Sequence, residues 1–296
     1  MADIRTDLAQ EAHELHRDVE GVECRDETCQ GYEAHVVRVL TPQAAQALGK
    51  PVGTYVTLEL DGLLRREEAG FARAVEAIAG LLTPMLPGKG LALVVGLGNR
   101  AMTPDVVGPK AVDYTLVTRH LVEGLPQFGH LRPVAALAPG VLGTTGMESG
   151  AVVEALVEQL RPACVLAIDA LAARSVHRLC RTVQLSDTGI VPGSGVGNHR
   201  RGLTEETLGV PVVSLGVPTV VDGATLIEDL LGESTPADVP GRELFVTPRE
   251  VDSRVADLSR VLGYGVSRAL NPALSVEELL LPLFWSVVVS EFLIHQ

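Results

Sequence analysis

Five apolar residues in a row that stop at glycine constrain this chain more than any other feature. Leu91 to Val95 (LALVV) runs into Gly96, Leu97, Gly98 and Asn99, and the stretch continues as RAMTPDVVGP to Pro109. A short, unbroken apolar run bounded by turn residues reads as a parallel strand buried on both faces. Gly96, Gly98 and Asn99 supply the left-handed backbone of a tight turn. Pro109 suits the first turn of a helix whose apolar face would be Val112, Leu116 and His120 or Leu121. Asp105 therefore falls beyond the carboxyl end of a central strand, where ligands and catalytic groups collect in open α/β sheets.

The same design returns 64 residues later. Cys164 to Ile168 (CVLAI) ends in Asp169, and the following DALAARSVHRL predicts a helix over 171–180. If the two strands are neighbours, both aspartates face one crevice. Like charges held close in apolar surroundings make one carboxyl keep its proton, so that one can act as acid and the other as base. The competing reading is that each aspartate caps its helix, the usual work of Asp at that place.

Around these two stretches the pattern alternates. Residues 35–40 and 53–60 predict strands, the second with one solvated face, and residues 63–82 an amphipathic helix. Val134 to Leu137 is a short strand entering the loop APGVLGTTG. Glu148 to Leu160 reads as a helix and Val210 to Leu215 as a further strand. An N-terminal helix through Glu14 and a buried terminal helix over Leu279 to Ser290 complete the reading. The expected fold is a single-domain α/β layered structure with a mainly parallel sheet and an antiparallel edge formed by residues 35–60.

Composition narrows the function. The 296 residues carry 24 Lys plus Arg against 37 Asp plus Glu, a net charge of -13, which opposes direct binding to nucleic acid or an anionic membrane. No segment predicts a membrane span, the twelve residues at 279–290 being too short and broken by Pro282. A charged N-terminus predicts no export signal, and the four cysteines fit a reducing, cytoplasmic compartment. Cys24 and Cys29 read as surface thiols rather than half of a zinc site. His120, His177 and His199 read as solvated or helix-face residues, so no metal and no cofactor is expected. The loop Ser186 to Arg201, with Gly193, Gly195 and Gly197, lets backbone approach a ligand but lacks the ending of a P-loop, and GLGN lacks a third dinucleotide glycine. No GxSxG or HExxH occurs.

The strings IRTDLA (4–9), VVGLGN (94–99), TPDVVGP (103–109), APGVLGTTG (138–146), AIDALAAR (167–174), SDTGIVPGSGVGN (186–198), GVPTVVDG (216–223) and VTPREVD (246–252) resemble the spore germination proteases. That resemblance implies an endopeptidase that begins digestion of small acid-soluble spore proteins in the spore core. It implies a single α/β/α sandwich similar to hydrogenase maturation proteases, and assembly as a homotetramer. It implies catalytic roles for Asp105 and Asp169, the two residues reached above from strand ends, with Gly96, Gly98, Asn99 and the glycines at 193–197 shaping the cleft. It also implies a zymogen that cuts itself between Asp7 and Leu8, so that residues 1–7 are a propeptide on a flexible terminus and 8–296 the peptidase. Two other readings are a metal-assisted maturation-type peptidase or phosphorylase-like enzyme on the same fold, and a spore-protein binding module without chemistry.

Overall fold

The computed structural model describes residues 6–64, 67, 69–191, 201–231 and 244–281. Helix α1 (Ala9–Leu15) leads into a hairpin of β1 (Val22–Cys29) and β2 (Tyr32–Val39). The hairpin closes at Gln30 and Gly31, whose φ of 51° and 81° are those of a type I′ turn. Helix α2 (Pro42–Leu48) is capped by the Thr41 hydroxyl and precedes β3 (Gly53–Glu59). The predicted helix 63–82 divides into α3 (Asp61–Leu64) and α4 (Gly70–Leu82). Then come β4 (Ala92–Gly96), α5 (Val107–Asp113), α6 (Arg119–Gly124) and β5 (Val134–Leu137). After α7 (Leu142–Thr145) and α8 (Ser149–Leu160) the chain enters β6 (Cys164–Ala173) and β7 (Thr182–Ser186). The rest is α9 (Glu205–Leu208), β8 (Val212–Asp222), α10 (Gly223–Leu231), β9 (Phe245–Val246), α11 (Val251–Leu270) and α12 (Val276–Leu280).

Among the described residues, nine strands form one sheet in the order β1-β2-β3-β7-β8-β6-β4-β5, with β9 on β8. The β8-β6-β4-β5 half is parallel. The β1-β2-β3-β7 half is antiparallel, as is its junction with β8, so the antiparallel part is wider than the edge expected from residues 35–60 and the sheet is mixed.

Strand alternation sorts the core into two layers. Val94, Leu166, Ile168, Val213 and Leu215 face α4, α5 and α11. Leu93, Val95, Val165, Ala167 and Val212 face α8 through Val153 and Val157. On that second side α1 and α2 cover β2 and β3 at Val37, Val39 and Tyr55. Helices thus lie on both faces, an α/β/α arrangement.

Two expected helices are corrected. The helix from Pro109 ends at Asp113, and Arg119 begins a separate one. The helix over 171–180 is absent: β6 runs on through Ala173, and residues 176–178 form only a short 3-10 turn. Ala-Leu-Ala-Ala favours helix intrinsically, but propensity is weak beside a waiting strand partner. Here β8 pairs with β6 from Val165 to Ala173. The terminal helix expected over 279–290 lies almost entirely outside the described residues, within which α12 ends at Leu280. Among those residues no helix is long and apolar enough to cross a membrane.

Candidate active site

Strand β4 is buried throughout, and Leu97 extends its pairing by donating to Ile168 O at 2.8 Å. The turn follows at Gly98, whose φ of 117° is left-handed. A Cβ there would lie 2.0 Å from the Asp105 carbonyl oxygen. The Asn99 side chain accepts from Ala101 N at 3.0 Å, and its own backbone N–H donates to Asp105 Oδ2 at 2.8 Å. Asp105 ends a 3-10 turn, Thr103–Asp105, and is half-buried. The capping position of α5 is Val106, and no side chain caps that helix. Asp105 thus reaches back to the loop instead of capping forward. Gly96 and Gly108 let α5 lie against the strands: a Cβ on Gly108 would sit 2.3 Å from both Ile168 O and Leu97 O.

Asp169 lies inside β6 rather than at its end, which also removes the capping alternative. It is 5% exposed, opposite Gly216 of β8 in the parallel register. Alternation puts it on the α8 side with Ala167 and Leu171. Gly216 in turn pairs with Gln184 of β7, so Asp169, Gly216 and Gln184 form a row across three strands. The turn carrying Asp105 packs against β6 and β8. A different strand-end aspartate, Asp222, does act as a cap, accepting from Ala224 N at 3.1 Å and Thr225 N at 3.0 Å.

The same face carries a cleft of about 520 Å³ lined by Asp7, Lys50, Tyr55, Leu171, Gln184 and Gly216 among others. One of its walls is the N-terminal segment. Asp7 N donates to Ala172 O at 2.9 Å, and Ala172 N donates to Asp7 Oδ2 at 2.8 Å. Leu8 is fully buried among Leu171, Ala173, Leu179 and Val221. The flexible terminus expected around Asp7 and Leu8 is therefore corrected: from Thr6 onward the segment is bound to the sheet. Lys50 Nζ donates to Thr6 O at 3.0 Å. Desolvation holds the Lys50 amine below its ordinary value, opposed by the Asp7 and Glu11 charges. Burial pushes the Tyr55 phenol up to about 12, with the Thr188 hydrogen bond working the other way.

Glu11, fully buried in α1, anchors this arrangement. Its carboxylate accepts from Arg174 N at 2.6 Å, Ser175 N at 2.9 Å and Arg178 Nη1 at 3.2 Å, and also from the Thr6 hydroxyl. Glu11, Lys50, Gln184 and Gly216 escaped the reading of the sequence. Their signal is tertiary, except that SDTG begins two residues after Gln184. Gly193, Gly195 and Gly197 lie outside the described residues. Among those that are described, no three His, Cys, Asp or Glu side chains converge as metal ligands would.

An α/β/α sheet carries one carboxylate on a turn and another inside a strand, and neither lines the cleft that seats the N-terminal segment. The sequence profile of one peptidase family, described as "Germination protease", matches residues 2–232. The chain belongs to the germination protease family. It is 40% identical over 313 residues to the germination protease of Caldanaerobacter subterraneus subsp. tengcongensis, covering 93% of this chain and 97% of that one. It is 38% identical over 320 residues to the one from Clostridium perfringens strain ATCC 13124, covering 94% and 98%. With the Priestia megaterium germination protease it shares 34% over 349 residues, covering 90% and 94%. Among solved structures, the hydrogenase maturation protease HycI from Thermococcus kodakarensis KOD1 matches with a TM-score of 0.36 at 18% identity, covering 63% of this chain and 98% of that one.

Proposed function

We propose that this peptidase is an aspartic-type endopeptidase that begins the breakdown of small acid-soluble spore proteins in the spore core, and that it first cuts its own chain between Asp7 and Leu8. In this reading residues 1–7 are a propeptide and 8–296 the peptidase, assembled as a homotetramer. One of Asp105 and Asp169 takes a proton from water as its oxygen attacks the carbonyl of an acidic residue, and the other gives a proton to the departing amine. Gly96, Gly98 and Asn99 serve by holding the turn that presents Asp105.

The observation that carries this reading is the seating of residues 6–9. Thr6 and Asp7 line the cleft, and from Asp7 to Ala9 the backbone is hydrogen-bonded to β6 and β7, on the face that bears Asp169, as a bound peptide would be. Family membership supports the protease activity, and the resemblance of TDLA to spore-protein cut sites supports the substrate.

The test is incubation of the purified wild type, Asp105→Asn and Asp169→Asn with a small acid-soluble spore protein, with mass spectrometry of both chains. The wild type should lose residues 1–7 and cut the spore protein after an acidic residue. Each variant should lose both activities by roughly a hundredfold or more. Normal cutting by both variants would refute the paired-aspartate mechanism, and loss of activity with chelator alone would move the chemistry to a metal. Sedimentation of the wild type tests the tetramer.

A further inference from the structure

Gln184 is 7% exposed, and its side-chain amide meets the N-terminal segment on both sides of one peptide bond. Its Nε2 donates to Asp7 O at 3.2 Å, and its Oε1 accepts from Ala9 N at 2.7 Å. The two partners fix the orientation of the amide, since the Ala9 N–H can only donate and the Asp7 carbonyl can only accept. The Asp7–Leu8 bond lies between them. Lys50 takes the preceding carbonyl, that of Thr6, and Ala172 pairs with the backbone N–H of Asp7. Most of these contacts read backbone, so they would be available to any extended peptide entering the cleft.

We infer that Gln184 binds the reacting peptide of this protease, its Nε2 holding the carbonyl that water attacks and its Oε1 the N–H two residues further on, in self-cleavage and in substrates alike. This rests on the reading of residues 6–9 as a self-presented substrate. As water's oxygen bonds to the Asp7 carbonyl carbon, the carbonyl oxygen becomes an oxyanion, and the N–H of Gln184 then faces a full negative charge. The C–N bond to Leu8 breaks next, leaving a carboxylate on Asp7 and an amine on Leu8 that takes the proton. A fixed donor at such an oxygen is worth about a hundredfold to a thousandfold in rate. Glutamine suits the place because it offers a donor and an acceptor without charge. Glutamate would keep the acceptor and turn the donor into a second anion. When residues 1–7 leave, Nε2 loses its carbonyl partner, and an incoming substrate takes both contacts, its own N–H displacing that of Ala9 from Oε1.

The rate of loss of residues 1–7 from the full chain, followed by intact mass, tests this in the wild type, Gln184→Glu and Gln184→Ala, each with and without Ala9→Pro. The backbone at Ala9 accepts proline because it is the first residue of α1 and Leu8 is already extended, with φ -84° and ψ 125°, and the ring Cδ takes the place of the N–H that Oε1 holds at 2.7 Å. Both Gln184 variants should slow self-cleavage about a hundredfold. Ala9→Pro should slow the wild type and Gln184→Glu by at least roughly fivefold, since it removes one hydrogen bond and displaces Oε1, and leave Gln184→Ala unchanged. A purely structural role would instead make the two effects multiply. In a second arm, the self-trimmed wild type is given a peptide spanning Ile4 to Glu14, and the same peptide N-methylated at the alanine that follows leucine. N-methylation should raise KM about fivefold with kcat held. Self-cleavage by Gln184→Ala within threefold of wild type, or equal KM for both peptides, overturns the inference while the peptidase reading stands. A folded wild type that cuts neither itself nor the peptide overturns both.

Discussion

Asp7 and Ala172 are joined by two hydrogen bonds, Asp7 N to Ala172 O at 2.9 Å and Ala172 N to Asp7 Oδ2 at 2.8 Å. The residue before the proposed cut thus pairs with β6 three positions beyond Asp169. A chain terminus held this way is poised on the sheet, where its carbonyl is in reach of Gln184.

Replacing Asp7 with alanine leaves the Ala172 N–H without its carboxylate acceptor. We expect a loss of about 1 kcal/mol in stability, and self-cleavage at least roughly tenfold slower as the segment leaves its register. Asp7→Asn retains an acceptor and should fall between. Urea unfolding and intact mass measure the two effects.

Glu11 holds the same segment from the far side. Its side chain is 1% exposed, so Glu11→Ala leaves the backbone N–H groups of Arg174 and Ser175 without their acceptor and Arg178 with Glu14 as its remaining carboxylate. Two N–H groups left unmet in the interior cost about 3 kcal/mol together. The melting temperature should drop by roughly 6 °C. Hydrogen exchange at residues 7–9 should quicken before that of β4, which checks that the loss begins at the terminus.

Gly98 should not tolerate a side chain. Its φ of 117° and the 2.0 Å approach of a Cβ to Asp105 O mean that Gly98→Ala must move the turn that carries Asp105. We expect a cost of about 1–3 kcal/mol together with loss of cleavage. Gly124→Ala is the control: a Cβ there meets nothing within 4 Å, and stability should change by less than about 0.5 kcal/mol.

Lys50 makes stability depend on pH in a definite direction. Unfolded, its amine keeps the ordinary value of 10.5; folded, desolvation lowers it against the pull of Asp7 and Glu11. Where both states are protonated, the desolvated ammonium counts against the fold. As the pH rises through the folded value toward 10.5, the unfolded chain holds a proton that the folded chain has released, and the folded state gains. The difference in stability between Lys50→Met and wild type should therefore shift toward wild type between pH 7 and pH 10 in urea unfolding.

Much of the architecture could be read before any coordinates. LALVV became a wholly buried central strand, and GLGN became the turn that turns Asp105 back on itself. Strands β2, β3 and β5 and helix α8 also lie close to where their patterns put them. β1 was not legible, because CRDETC is polar and becomes a strand only through the Gln30–Gly31 turn and its pairing with β2. Asp169 was reached by a wrong route. It was expected at a strand end, before a helix, and it lies in a strand that continues.

The amino-acid sequence alone determined the layered α/β character, the apolar strand at its centre, the glycine turn and the family. Those follow from local pattern and from strings of adjacent residues, which survive without a fold. Only the tertiary structure decided that Ala170 to Ala173 is strand, because β8 and Asp7 supply hydrogen-bond partners on its two edges. Only the register of β6, β8 and β7 put Asp169, Gly216 and Gln184 in one row, and only that row brought Gln184 to the carbonyl of Asp7, 177 positions away in the chain.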